Sequence, residues 1–142
     1  GKDVTLDIRT PEVSKGASDV AVIPQVRMKL VELQRKLASN QNVIMDGRDI
    51  GTFVLPDAEI KIFLTASAEE RARRRYEEMK EKGYECSFED IKKDIEYRDK
   101  NDSSRAFAPL KAAEDAIIID TTGNTLEQSI NTIHKVIEER LK

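Results

Sequence analysis

The residues best able to do chemistry stand in two short clusters. The first is Asp46-Gly47-Arg48-Asp49, two carboxylates flanking a glycine and a guanidinium. Arg48 can fork onto a phosphate or a carboxylate through parallel N–H donors. Asp46 or Asp49 can accept hydrogen bonds from amino or hydroxyl groups, or hold a hydrated Mg2+. The second cluster is Arg98, Asp102 and Arg105, spaced four and three residues apart. If one helix carries them, all three share a face, and two guanidiniums with a carboxylate between them make a phosphate clamp. Each cluster also has a plain structural reading: a polar turn whose charges pair with one another, and a helical salt-bridge ladder.

A third basic run is Arg71 followed by Arg73-Arg74-Arg75. Glu69 with Arg73 and Glu70 with Arg74 are i,i+4 pairs, and Arg75 has Glu78 within reach, so an ordinary solvated face accounts for the run. The functional alternative is a cationic helix that closes over a polyphosphate. Arg27 lies near a helix N-terminus, where the dipole favours acids rather than bases. It suits a ligand or acidic partner as well as a snorkelling arginine. Ser18 reads by itself as a surface or back-bonded helical serine, and His134 as an exposed one.

The elements that must position these groups follow from local signals. Residues 1–8 read as a hairpin tail whose partner strand lies upstream. Thr10-Pro11-Glu12 starts a helix that should reach about Val22, with Thr10 as N-cap and proline in the first turn. Ile23-Pro24 forces a bend. A second helix runs from Pro24 to about Ala38 with an apolar stripe of Val26, Leu30, Leu33 and Leu37. Val43-Ile44-Met45 reads as a strand buried on both faces, ended by Asp46-Gly47, where glycine tolerates positive φ. Residues 53–57 form an apolar connector. A second strand covers Ile60 to Leu64, and Ser67 with Glu70 forms a capping box for a helix stopped by Gly83. Ser87 opens a helix to about Asp99 with Ile91 and Ile95 buried. A third strand spans Ala116 to Asp120. Thr125 with Gln128 forms a second capping box for a terminal helix whose stripe is Leu126, Ile130, Ile133 and Ile137. This alternation predicts an α/β fold with a parallel sheet, and ligands then bind beyond the carboxyl ends of its strands.

Composition narrows the classes. The chain has 142 residues, 36% of them charged, and a net charge of −3. That length suits one domain with a sizeable core. The negative balance argues against a general nucleic-acid binder, and the absence of tryptophan against a base-stacking platform. A single cysteine, Cys86, rules out an intrachain disulfide and a cysteine metal cluster. With no apolar run of membrane-spanning length and no signal-peptide pattern, a cytoplasmic protein that does not engage membranes is expected.

Taken together, several stretches resemble the bacterial cytidylate kinase family of nucleoside monophosphate kinases. They are Ile8-Arg9-Thr10 with Glu12-Val13, Asp46 to Thr52, Lys61-Ile62-Phe63-Leu64 with Glu69 to Arg75, Arg98-Asp99 with Asp102 and Arg105, and Ala108-Pro109-Leu110. The likeness covers essentially the whole chain in the family's order. It implies a P-loop NTPase-like parallel sheet flanked by helices, with residues 1–142 as an incomplete C-terminal portion. Residues 1–40 would be CMP-binding helices, 41–66 and 116–122 core strands, 67–105 lid and phosphate-clamp helices, and 125–142 the terminal helix. It implies transfer of the γ-phosphoryl group of ATP, with Mg2+, to CMP or dCMP. Arg27 and Asp49 would read the base edge and Ser18 would hydrogen-bond it. Arg48, Arg98 and Arg105 would hold the CMP phosphate, Asp102 the sugar hydroxyls, and Arg74 and Arg75 would reach ATP from the lid. The whole enzyme would be a monomer.

One departure matters. The family's G-x-x-x-x-G-K-[ST] loop has no counterpart in this sequence. With it go the phosphate-binding lysine, the Mg2+-holding hydroxyl and a strand expected between the Asp46 and Ile60 strands. The chain alone is therefore expected to have negligible kinase activity, and to be less stable than a whole domain or to associate through an open sheet edge. A non-catalytic pyrimidine-nucleotide-binding fragment, and an interaction protein with salt-bridged helix faces, are the competing readings.

Overall fold

The computed structural model describes residues 1–5, 7–104 and 108–142. The chain divides into two compact units, Gly1–Met45 and Asp46–Lys142.

In the first unit a 3-10 turn, Asp7–Arg9, precedes α1 (Pro11–Val20) and α2 (Pro24–Ala38). Thr10 caps α1 as expected: its hydroxyl accepts the Val13 amide at 3.3 Å. The helix stops at Val20, two residues short of the expected Val22, and Ile23 is extended because a proline follows. None of the stripe expected on α2 is buried: Val26 is half-buried and Leu30, Leu33 and Leu37 are exposed, while the helix buries Val31, which lies outside that stripe. An apolar stripe is hidden only where another element packs on it, and this unit has no strand among its described residues.

The strand expected at Val43-Ile44-Met45 is absent, as is any strand in residues 1–5. Ile44 is 99% exposed, the opposite of burial on both faces. A strand persists only where its N–H and C=O groups meet a neighbour, and in this chain the two observed strands pair with each other.

The second unit holds the sheet. β1 (Ile62–Thr65) runs parallel to β2 (Ile117–Asp120), in register from Ile62 opposite Ile117 to Thr65 opposite Asp120. Ile117 N–H to Lys61 C=O and Thr121 N–H to Thr65 C=O, at 2.9 and 2.8 Å, extend the ladder at its ends. The fold is thus α/β with a parallel sheet flanked by helices, in two strands among the described residues. Ile119 is buried, but Leu64 and Ile118 are exposed, because two strands cannot cover the faces of a sheet designed for burial.

The crossover between the strands is α3 (Ala68–Glu81) and α4 (Phe88–Ser103), which pack on each other; α5 (Leu126–Arg140) follows β2. Ala72 of α3 is fully buried, and Tyr76 meets Phe88 edge to face at 6.2 Å. α4 runs four residues past the expected Asp99, which places Arg98 and Asp102 on one helix. Gly83 (φ 77°) ends α3 in the left-handed conformation. The Thr125–Gln128 capping box is complete, whereas the one expected at Ser67 is half made. Ser67 accepts the Glu70 amide at 3.1 Å, but the Ser67 amide donates to Thr122 Oγ1 at 2.9 Å. The Glu70 carboxylate turns instead to arginines. On α5 the expected stripe is split: Ile133 and Ile137 are half-buried, Leu126 and Ile130 exposed. No helix among the described residues is long and apolar enough to cross a membrane.

Candidate functional site

The second unit brings the two chemical clusters of the sequence together. Arg48 Nε lies 3.1 Å from Asp102 Oδ2. Asp102 is 4% exposed, near the end of α4, whereas the Arg48 side chain keeps about half its surface, 48%. A buried carboxylate thus steers an accessible guanidinium, leaving donors of Arg48 open to a ligand. Behind Asp102 the chain folds back, and the Leu110 amide donates to its carbonyl at 2.8 Å.

The segment carrying Arg48 is held by an unusual turn. Residues Ile50–Val54 form one wide π-helical turn. The Asp49 carbonyl accepts the Phe53 and Val54 amides at 2.9 and 3.2 Å and the Thr52 hydroxyl at 3.4 Å, and the Ile50 carbonyl accepts the Leu55 amide at 2.7 Å. Val54 is the anchor, 2% exposed, and Asp49 is itself buried. Such turns mark functional sites more often than chance. The sequence reading took the stretch from Phe53 as a plain connector; alternating signals for helix and strand give no cue to a five-residue π turn.

Gly47 is needed for a different reason from the one expected. The glycines at positive φ are Gly83 and Gly123. At Gly47 an added Cβ would lie 2.8 Å from Ile50 Cγ1 and 3.0 Å from its Cδ1, so close approach to the π turn is what requires glycine.

Arg98 sits one turn before Asp102 on α4 and is exposed. Among the described residues its side chain makes no hydrogen bond or ion pair. Arg105, the third arginine of the predicted clamp, lies outside the described residues. Ser18, on α1, and Arg27, on α2, belong to the first unit and are half-buried. An Arg27 Nη1 donor reaches the Ala21 carbonyl at 3.5 Å, which turns this arginine back over the α1–α2 bend. Asp46 is exposed.

The arginines of α3 are heavily engaged. Arg71 makes a bidentate pair with Asp99 of α4 at 2.9 and 2.5 Å, and its Nε donates to the Ala66 carbonyl at 3.0 Å. Arg73 bonds Glu70 and Glu77, not the expected Glu69. Arg74 reaches four acceptors: Glu70 Oε1 at 2.8 Å, Thr121 Oγ1 at 3.2 Å, and the Thr121 and Asn124 carbonyls at 2.5 and 3.4 Å. Arg75 pairs with Glu78 at 2.8 Å. Hydrogen bonds from Arg73 first, then from Arg74, hold the Glu70 carboxyl below its ordinary range. Those from Lys82 and then Arg75 do the same for Glu78.

Two contacts escaped the sequence reading. Asp99 and Asp102 continue the α4 stripe begun by Ile91 and Ile95, at i, i+4, i+8 and i+11. Ile91 and Ile95, expected to be buried, are half-buried, and carboxylates prolonging their stripe were the available signal for inward-facing acids. The Lys61–Asp115 pair, at 2.7 Å between the segments leading into β1 and β2, had none. Among the described residues no group of three or more His, Cys, Asp or Glu side chains could hold a metal ion.

Comparison with known proteins gives one answer. A family model described as cytidylate kinase matches residues 1–139. A cytidylate kinase of Caldicellulosiruptor saccharolyticus is 58% identical over 138 residues, covering 97% of this chain and 60% of that protein. Those of Lactobacillus johnsonii and Thermosipho melanesiensis are 51% and 52% identical over all 142 residues, covering 62% and 65% of those proteins. The chain spans a little over three fifths of the length of these curated relatives.

Proposed function

The chain belongs to the cytidylate kinase family, and on that premise we propose that it carries the acceptor site and lid of an enzyme that moves the γ-phosphoryl group of ATP to CMP or dCMP. The observation that carries this reading is the Arg48–Asp102 pair. It joins a loop beside the sheet to the arginine-bearing end of α4, and it presents a half-exposed guanidinium fixed at one end by a buried acid.

In this reading Arg48, Arg98 and Arg105 bind the CMP phosphate. A phosphate oxygen of CMP attacks the γ-phosphorus, the bond to the β-phosphate oxygen breaks, and CDP and ADP leave. Positioning and neutralisation of charge carry such a step, so arginines rather than a nucleophile are its natural machinery. Asp102 accepts from the sugar hydroxyls while it orients Arg48. Asp49 and Arg27 read the cytosine edge and Ser18 adds a hydrogen bond. Arg75, with one carboxylate partner, reaches toward ATP more easily than Arg74, which would have to release the Thr121 and Asn124 carbonyls.

The described residues do not fit a protein-held Mg2+: no carboxylate cluster is present among them, and the sequence contains no G-x-x-x-x-G-K-[ST] run. No step is assigned to the ion. Lacking that phosphate cradle, the 142 residues by themselves bind CMP but transfer phosphate negligibly, since a preorganised charge site contributes several kcal/mol to transition-state stabilisation. The test is calorimetry of the chain with CMP, with UMP and AMP as controls, beside an ADP-release assay. Selective CMP binding without turnover is expected, and Arg105→Ala should abolish it. A folded chain that binds none of the three nucleotides would overturn the acceptor-site reading. Robust ADP formation would overturn the claim of inactivity.

A further inference from the structure

Arg71 was read as one member of a solvated basic face, yet it is the side chain that ties three elements of the second unit together. Its Nε donates to the carbonyl of Ala66, the residue just past the end of β1, and its two terminal nitrogens fork onto Asp99 of α4. Both ends of the pair are about one third exposed, 34% and 32%, so it is better shielded than the Arg73–Glu77 and Lys82–Glu78 pairs. A bidentate guanidinium–carboxylate contact fixes orientation as well as distance. Asp99 directly follows Arg98 and precedes Asp102 by one turn. Asp102 has its own tether, to Arg48. Arg98 has no side-chain tether among the described residues, so its place is set by where α4 is held.

We infer that the Arg71–Asp99 pair is a positioning device for the phosphate site: it locks α4 against the carboxyl end of β1 and thereby places Arg98 for the substrate phosphate. The assignment rests on the acceptor-site reading above. Neither residue touches the nucleotide; both act through Arg98.

A positioning role predicts a loss confined to the phosphate. Calorimetry of the full chain with CMP and with cytidine separates the two parts of the ligand. Asp99→Asn, which keeps the side-chain shape, and Arg71→Met should each weaken CMP binding by about tenfold or more, about 1.4 kcal/mol at tenfold, while cytidine affinity stays within about threefold. The double variant should be no worse than the poorer single, because the two groups act as a unit. Arg71→Lys, which keeps charge but not the fork, should recover only part of the loss. Circular dichroism checks folding, and Asp99→Asn carries the test if Arg71→Met fails to fold. CMP affinity unchanged in Asp99→Asn, or CMP and cytidine weakened alike, would overturn the inference while leaving the acceptor site intact. A wild-type chain that binds no CMP would overturn both.

Discussion

Breaking the Arg48–Asp102 contact should show a measurable coupling between two residues that are remote in sequence. The perturbation is a double-mutant cycle of Arg48→Met, Asp102→Asn and the pair. The contact is an ion pair at 3.1 Å, with one partner 4% exposed and the other keeping about half its surface. Solvent-screened ion pairs contribute up to about 1 kcal/mol, and burial of the Asp102 end places this one at that upper limit, about 1 kcal/mol. For a unit of this size that corresponds to a melting shift of about 4–8 °C in either single variant. Arg48→Met should cost at least as much as Asp102→Asn, because it takes the cation away from a carboxylate that is 4% exposed. The assay is urea unfolding of all four chains at one pH and salt concentration, with the coupling energy taken from the four stabilities. A coupling below about 0.3 kcal/mol, the scatter of independent sites, would refute the view that these two clusters form one site.

Three further outcomes are expected. Gly47→Ala should destabilise the chain by about 1–3 kcal/mol in urea unfolding, because its Cβ would overlap Ile50, and Ile50→Val in the same chain should leave the clash largely in place, since the nearer atom, Cγ1, remains. Arg98→Ala should leave the melting temperature within about 2 °C, as befits an exposed side chain, while calorimetry shows CMP binding weakened by about tenfold or more. The Asp115 carboxyl is held below its ordinary value of 3.8, first by the hydrogen bond from Lys61. A depressed acid stabilises the fold at pH values above its unfolded range and loses that contribution as pH falls through the folded value. Melting temperature followed downward from pH 6 should therefore drop more steeply at the acid end in the wild type than in Asp115→Asn; parallel curves would show that the Lys61 contact adds nothing.

The helices were legible because their signals are local. Thr10, Pro24 and Thr125 lie within one turn of what they cap or start, and the α/β order follows from alternation of apolar runs with 3.6-residue periods. Arginines and aspartates at helical spacing could be singled out by type, which says what each is able to bind but not what it meets. What only the tertiary structure decided is which of them meet. Val43-Ile44-Met45 has the composition of a central strand, but a strand is a relation between two chains of peptide groups, and among the described residues none pairs with it. Gly47 is glycine because Ile50 stands against it, a clash that φ preferences do not reveal. Arg71 and Arg74 looked like neighbours on one basic face, yet one crosses to α4 and the other to the end of β2. Side-chain type sets what a group can bind; only the packing of β1, α3, α4 and β2 sets whether its partner is a neighbour on the helix, a distant backbone carbonyl, or a ligand.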